Sequence, residues 1–133
     1  MIKIDIKTTV ENLIDTFLMA GKISLELREK GLIKELKNDN TPVSNGDIEV
    51  NKIISKKINE LTPSIPIVSE ESSENKLNKN LKDFWLIDPI DGTYDYINNL
   101  DEFTINAGLI VANKPVAGLI YAPAKNRMFY TFG

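Results

Sequence analysis

The chain contains no cysteine and no histidine among its 133 residues. Without cysteine there is no disulfide bond, which fits a protein of the reducing cytoplasm. Without imidazole or thiolate groups, zinc and the softer metals lack the ligands that they prefer. A metal site in this chain must therefore be built from oxygen atoms, and such a site favours hard cations.

The chain also lacks an excess of basic residues and a long apolar run. Its 16 lysines and arginines stand against 19 aspartates and glutamates, which gives a net charge of -3. This balance offers no basic surface to a nucleic-acid polymer and no polybasic membrane anchor. Residues Met1–Asp5 lack the apolar stretch of a signal peptide, and no run approaches the length of a membrane span. We expect a cytoplasmic protein without a transmembrane segment.

The hydrophobic pattern predicts two helices in the first half of the chain. Apolar residues recur at helical spacing from Val10 to Leu25, which predicts a long helix over about residues 4–30, ending at Gly31. After a polar, turn-rich stretch, Ser44 is a good N-cap for a second helix. The apolar residues of that helix would be Val50, Ile54, Ile58 and Leu61.

Strands are predicted in the second half. Short strands over Ile65–Val68 and Phe84–Ile87 flank a solvated loop that is rich in asparagine and lysine, residues 72–82. Three further β-rich runs predict an antiparallel meander. They are Phe103–Val111, Pro115–Ala122 and Arg127–Phe132. The predicted fold class is α+β, a single domain over residues 1–133 with two N-terminal helices packed on a mostly antiparallel sheet.

The most informative motif is Asp-Pro-Ile-Asp-Gly-Thr, which begins at Asp88. A strand delivers Asp88, Pro89 fixes the backbone where the strand must turn, and Asp91 returns a second carboxylate three residues later. Gly92 lets the backbone come close to a ligand. A short helix is predicted to begin at Thr93, and the free N–H groups at its start would suit a phosphate oxygen.

Further carboxylates belong to the same region, because Glu70 and Glu71 follow the preceding strand. Two carboxylates about 4 Å apart repel by roughly 4 kcal/mol at an effective dielectric constant of about 20. A cation resolves this conflict. An oxygen-only site favours Mg²⁺, with Mn²⁺ or Ca²⁺ as competitors, so the residues alone predict a site for divalent metal and phosphate.

Each candidate residue also has a purely structural explanation. Asp-Pro and Asp-Gly are common turn dipeptides, so Asp88 and Asp91 could form a turn or cap a helix. Asp47 follows Ser44 at the spacing of a capping box, in which the acid bonds back to the N-cap amide. Lys37 is most simply a solvated surface residue.

The order and spacing of these motifs resemble the inositol monophosphatase superfamily of Mg²⁺-dependent, lithium-sensitive phosphatases. The residues that carry the likeness are Val68–Ser72 and Trp85–Thr93. Other stretches look more like its CysQ-type 3'(2'),5'-bisphosphate nucleotidases than like its inositol phosphatases. These stretches are Asn38–Asp47, Glu102–Ile110 and Tyr121–Pro123. The fold implied is the N-terminal part of an inositol-monophosphatase-like layered sandwich.

The resemblance implies a two-metal mechanism. One Mg²⁺ would be held by Glu70, Asp88 and the carbonyl of Ile90, and would activate a water molecule. Asp88 and Asp91 would help to hold a second Mg²⁺ on the leaving oxygen, with Glu71 in a supporting role. This is an in-line displacement that forms no phosphoenzyme.

The resemblance also implies catalytic residues and a substrate. Asp47 and Thr93 would position the attacking water, while the N–H groups of Gly92 and Thr93 would bind phosphate oxygens. The reaction would remove the 3'-phosphate from adenosine 3',5'-bisphosphate or the related phosphosulfate, with inositol monophosphate as the alternative substrate. The phosphatases that use a nucleophilic aspartate have the motif Asp-x-Asp-Gly-Thr. They do not match, because the first aspartate of that motif would fall at position 89, which is proline here.

The resemblance covers only the N-terminal half of the family. In the family, a further aspartate of the C-terminal half completes the second metal site. A truncated, catalytically incompetent fragment, or one half of a split enzyme that needs a complementary C-terminal half, is therefore the competing hypothesis. We also expect an exposed apolar face or edge at the last strand, which would favour homo-oligomers.

Overall fold

The computed structural model describes residues 4–71 and 80–133. Its helices are α1 (Ile6–Lys30), α2 (Asn45–Leu61) and α3 (Thr93–Ile97). A small antiparallel hairpin consists of β1 (Lys34–Leu36) and β2 (Pro42–Ser44). A five-stranded sheet has the order β3 (Ile67–Ser69), β4 (Phe84–Asp91), β5 (Thr104–Val111), β6 (Lys114–Ala122) and β7 (Arg127–Thr131). The loop predicted over residues 72–82 lies mostly outside the described residues.

Helix α1 begins and ends where local chemistry dictates. The side chain of Asp5 accepts a hydrogen bond from the N–H of Thr8 at 3.0 Å, which satisfies a free donor of the first turn. Gly31, at φ 99°, ends the helix, as predicted. One face buries Leu13 and Phe17 completely. Within residues 4–71 and 80–133, no helix has the length and hydrophobicity that crossing a membrane requires.

Helix α2 starts with the capping box that the sequence predicts. The N–H of Asp47 donates to Ser44 Oγ at 3.3 Å, and the N–H of Ser44 donates to Asp47 Oδ2 at 2.9 Å. The apolar face of α2 packs with α1 against the sheet. In the core between them, Trp85 of β4 is fully buried, and its Nε1 donates to Thr62 Oγ1 at 3.1 Å.

The sheet has a covered face and an open face. Strand β3 pairs in parallel with β4, and the remaining pairs are antiparallel, so the prediction of a mostly antiparallel sheet is confirmed. On the open face, Leu86, Ile120 and Phe129 are 49%, 47% and 56% exposed. Since Phe129 and its neighbour Tyr130 lie on β7, the apolar face expected at the last strand is confirmed as well.

The crossing of α1 over β6 gives a testable prediction. A Cβ atom at Gly21 would lie 2.3 Å from Cε2 of the buried Tyr121. Overpacking costs about 1–3 kcal/mol, whereas alanine gains only about 1 kcal/mol over glycine as a helix former. Gly21→Ala should therefore lower the urea midpoint, with an unchanged slope. The control Lys22→Ala, at the exposed neighbour, should change the free energy of unfolding by less than about 0.5 kcal/mol. A Gly21→Ala protein as stable as the native chain would contradict this packing.

Candidate active site

Strand β4 contains an irregularity that shapes the site. The strand was predicted to end at Ile87. In the structure it continues through Pro89 to Asp91. Asp88 lies opposite Asn106 of β5, while Asp91 lies opposite Thr104, so β4 contains one residue more than its partner. Such a β-bulge leaves one residue unpaired, and Pro89, which has no N–H to donate, is tolerated there. The prediction that Pro89 turns the chain was wrong because the bulge accommodates the proline inside the strand.

The bulge places both aspartates on one side of the sheet. In a regular strand, side chains three residues apart point to opposite faces. Asn106 and Thr104, however, lie two positions apart on β5 and therefore share a face. The residues opposite them, Asp88 and Asp91, consequently lie on the same side, as a shared ion requires.

Strand β3 brings Glu70 to the same edge of the sheet. The N–H of Glu70 donates to the carbonyl of Ile87 at 3.2 Å, one residue before Asp88. The next side chain, Glu71, is only 5% exposed, and its Oε1 lies 3.5 Å from Nζ of Lys37. The sequence suggested that Lys37 is a solvated surface residue, and this was wrong. It is 31% exposed and pairs with an acid of the site, a contact that no local pattern encodes.

Asp88 experiences the repulsion of this acidic group. Its pKa is raised from 3.8 to about 6, first by burial and then by the negative charges of Asp91, Glu70, Glu71 and Asp47. Burial disfavours the charged form, and each neighbouring carboxylate adds to that cost. The acids of three separate segments therefore act on one another.

Asp47 and Thr93 are brought into direct contact. Thr93 Oγ1 lies 2.9 Å from Asp47 Oδ1 and 3.1 Å from the carbonyl oxygen of Ile90, and can donate its proton to either. The other carboxylate oxygen, Asp47 Oδ2, accepts from the N–H and the hydroxyl of Ser44 at 2.9 and 2.5 Å. Asp47 is fully buried. It therefore belongs to the capping box and to the predicted site at once, with one oxygen for each.

Gly92 is required by the shape of the chain before α3. Its φ of 86° is a conformation that side chains disfavour, and a Cβ atom there would lie 2.8 Å from the carbonyl oxygen of Glu102. The helix that follows begins at Thr93, as predicted, and its first bond runs from the N–H of Tyr96 to the carbonyl of Gly92 at 3.0 Å. This turn holds Thr93 against Asp47.

The donor atoms fit a hard divalent cation, although they are not placed in a coordination shell. In the part of the chain that the structure describes, no group of three or more acidic or histidine side chains is arranged to hold a metal ion. A cation would have to draw the carboxylates closer together. The candidate ligands are all oxygen atoms, and a positive charge would offset both the burial and the repulsion that raise the pKa of Asp88. The assignment of individual ligands stays a prediction.

Sequence reasoning missed two polar residues beside the acids. Asn106 lies opposite Asp88, and its side-chain N–H group donates to Thr104 Oγ1 at 3.1 Å. The available signal was the alternation of β5, in which Thr104 and Asn106 are polar while Ile105 and Ala107 between and beyond them are apolar and buried. Such alternation indicates that one face of the strand approaches a polar region.

Comparisons with known proteins agree on one family. The inositol monophosphatase family is matched over residues 5–132. The 3'(2'),5'-bisphosphate nucleotidase CysQ of Haemophilus influenzae is 37% identical over 129 residues, which cover 92% of this chain and 48% of that protein. The chain thus spans about half the length of this curated relative.

Solved structures show the same fold. The extragenic suppressor protein suhB from Bartonella henselae superimposes with a TM-score of 0.81 at 26% identity, over 92% of this chain and 48% of that one. An IMPase/NADP phosphatase complexed with Mg²⁺ and phosphate superimposes with a TM-score of 0.79 at 19% identity, over 94% of this chain and 48% of the other. On the evidence of sequence and fold together, the chain belongs to the inositol monophosphatase family.

Proposed function

We propose that this chain is the N-terminal domain of a Mg²⁺-dependent phosphomonoesterase. The contact that carries the proposal is the hydrogen bond of 2.9 Å between Thr93 and the buried Asp47, beside the mutually repelling acids around Asp88. The proposed reaction removes the 3'-phosphate from adenosine 3',5'-bisphosphate or the related phosphosulfate. Similarity to CysQ supports this substrate. Inositol monophosphate is the alternative substrate, supported by the family match.

Divalent metal is proposed as the cofactor. A solved relative of the same fold is complexed with Mg²⁺ and phosphate. In this chain, Glu70, Asp88, the Ile90 carbonyl and Asp91 would hold two or more Mg²⁺ ions, with Mn²⁺ as a substitute and Glu71 in support. When bound, the metal supplies a water of lowered pKa and neutralises charge on the leaving oxygen.

Thr93 and Asp47 position and deprotonate the attacking water in this proposal. When the only hydroxyl proton of Thr93 goes to Asp47 Oδ1, the lone pairs of Thr93 Oγ1 are directed away from it and accept a hydrogen bond from the water. As the water attacks, its proton passes to Thr93 Oγ1 and the threonine proton passes to Asp47. Two hydrogen bonds from Ser44 keep the carboxylate of Asp47 in place throughout.

The backbone after the bulge binds the phosphate in this proposal. The N–H groups of Gly92 and Thr93 would donate to the non-reacting oxygens, which gain charge in the transition state. Gly92 permits this turn, because its φ of 86° disfavours side chains and a Cβ atom there would meet the carbonyl oxygen of Glu102. Substrate recognition beyond the phosphate would come from a complementary C-terminal half or a second copy of the chain, packed on the open face of the sheet. On that basis the isolated chain should turn over slowly.

A phosphate-release assay on the purified chain tests the function. Adenosine 3',5'-bisphosphate and inositol monophosphate are compared side by side, each with Mg²⁺ and with a chelator. We expect slow release that requires Mg²⁺, that is faster with the nucleotide and that Asp88→Ala abolishes. Activity that survives chelation or Asp88→Ala unchanged would contradict the metal-dependent mechanism. A preference for inositol monophosphate would reassign the substrate.

Variants of Thr93 test the proton path. Thr93→Val keeps the shape of the side chain but removes the hydroxyl, so kcat should fall by about 10²-fold or more with little change in KM. Thr93→Ser keeps the hydroxyl and should retain most of the activity. Equal losses for valine and serine would show that the methyl group matters and the proton does not.

Stability measurements test whether the negative charge of Asp88 destabilises the fold and whether a cation relieves that cost. They do not require the chain to turn over a substrate. The folded-state pKa of Asp88, about 6, exceeds its ordinary value of 3.8. The folded chain therefore binds more protons than the unfolded chain between these values, and its stability falls as the pH rises through them. In chelator, Asp88→Asn should be more stable than the native chain at about pH 7.5 but not at about pH 4. Mg²⁺ should raise the melting temperature of the native chain at the higher pH and leave Asp88→Asn unaffected. A stability difference that does not change with pH would contradict this account.

A further inference from the structure

Arg28, near the end of α1, reaches across to the loop that precedes β5. Its side chain is only 11% exposed. Nη1 donates to the carbonyl of Leu100 at 2.6 Å, and Nη2 lies 3.4 Å from Asp101 Oδ1. Because its donor is charged, the hydrogen bond from Arg28 to the Leu100 carbonyl is stronger than a hydrogen bond between neutral groups. One guanidinium thus ties α1 to a segment more than seventy residues away.

The same guanidinium faces two packed aromatic rings. Its Cζ atom lies 5.7 Å from the ring centre of Tyr96 in α3 and 5.1 Å from that of Phe103. The two rings are 4.9 Å apart and inclined by 59°. A cation at this distance from an aromatic face is attracted to it, and more strongly where water is excluded. Both rings are buried, so Arg28 holds α3 and the start of β5 together.

Tyr96 connects this cluster to the start of α2. Its hydroxyl donates to the carbonyl of Ser24 in α1 at 2.6 Å. A Cβ atom at Gly46 would lie 2.1 Å from the same hydroxyl oxygen, so α2 rests directly on Tyr96 one residue before Asp47. Burial, followed by the charge of Asp47, raises the pKa of Tyr96, and the hydroxyl therefore stays protonated and continues to donate.

The cluster of Arg28, Tyr96 and Phe103 therefore supports both residues of the candidate proton path. Asp47 lies in the first turn of α2, which rests on Tyr96, and Thr93 is the first residue of the short helix that contains Tyr96. Gly92, between β4 and that helix, lies against Glu102 and Phe103. A displacement of the rings would change the distance between Thr93 and Asp47.

We propose that Arg28 is a positioning residue that sets the contact between Thr93 Oγ1 and Asp47 Oδ1 by clamping Tyr96 and Phe103 against α1. The proposal rests on the function proposed above for Thr93 and Asp47. Arginine suits the role because its planar guanidinium lies against the rings and still donates to Leu100, which the compact ammonium of lysine does less well. A purely structural role would stabilise the fold without any link to Thr93.

A double-mutant cycle separates the two roles without requiring turnover. Arg28→Met keeps the aliphatic stem, and Thr93→Val removes the hydroxyl that donates to Asp47. If Arg28 sets this contact, Thr93→Val should lower the melting temperature of the native chain at least twice as much as that of Arg28→Met. The chain's other arginine, Arg127 on the exposed strand β7, provides the control. In Arg127→Met, the effect of Thr93→Val should equal that in the native chain. Equal losses in all three backgrounds would overturn the proposal.

Hydrogen exchange gives a second, local measurement. In Arg28→Met, the amides of Tyr96 and Asn98, which donate within α3, should exchange at least tenfold faster, while those in the middle of α2 should be unchanged. A uniform acceleration would mean a general loss of stability and would also overturn the proposal. If Arg28→Met does not fold, Arg28→Lys, which keeps the charge but loses the planar contact with the rings, replaces it in the cycle, with the same expected and contrary results. Neither measurement requires the chain to hydrolyse a phosphate ester. A failure of the proposed function would therefore appear in the phosphate-release assay and not in these two measurements.

Discussion

The extra residue in β4 is the feature on which the candidate site depends. A strand with regular alternation would send Asp88 and Asp91 to opposite faces of the sheet. With the bulge between Asp88 and Asp91, both lie on the side of Asn106 and Thr104. The proline suits this position because it has no N–H to leave unpaired. One irregular residue thus concentrates negative charge at the end of the sheet, and this charge adds to the effect of burial, which is the larger cause of the raised pKa of Asp88.

Folding and the proposed chemistry share the same atoms at Asp47. One carboxylate oxygen closes the capping box of α2, and the other accepts from Thr93. The buried carboxylate has three hydrogen bonds, from the N–H and the hydroxyl of Ser44 and from Thr93, so its burial is compensated. The structural and the functional explanations of this residue are therefore not alternatives. The cap holds the carboxylate rigid, and that rigidity is what a positioned proton acceptor needs.

Features set by local sequence could be predicted, whereas features set by strand pairing and tertiary contact could not. The end of α1 at Gly31, the N-cap at Ser44 and the meander each depend on residues close in the chain, and all three are confirmed. The bulge depends on which residue of β5 faces Asp88, and the pairing of Lys37 with Glu71 joins loops far apart in sequence. No periodicity encodes either contact. The acids Glu70, Asp88 and Asp91 could be predicted as a metal site from the residues themselves, whereas the roles of Asp47 and Thr93 came from the resemblance, because a capping box alone explains Asp47.

The acids and the open face of the sheet are parts of one surface. A cavity of about 460 Å³ on that face is lined by Leu86, Ile120 and Phe129, and also by Asp88. Any chain that packs on these apolar side chains would also remove water from Asp88. Desolvation makes a carboxylate charge more costly, so covering the face strengthens the need for a cation beside the acids. Conversely, a bound cation lowers the cost of covering the face. On the proposed function, metal binding and packing on the open face should therefore favour each other.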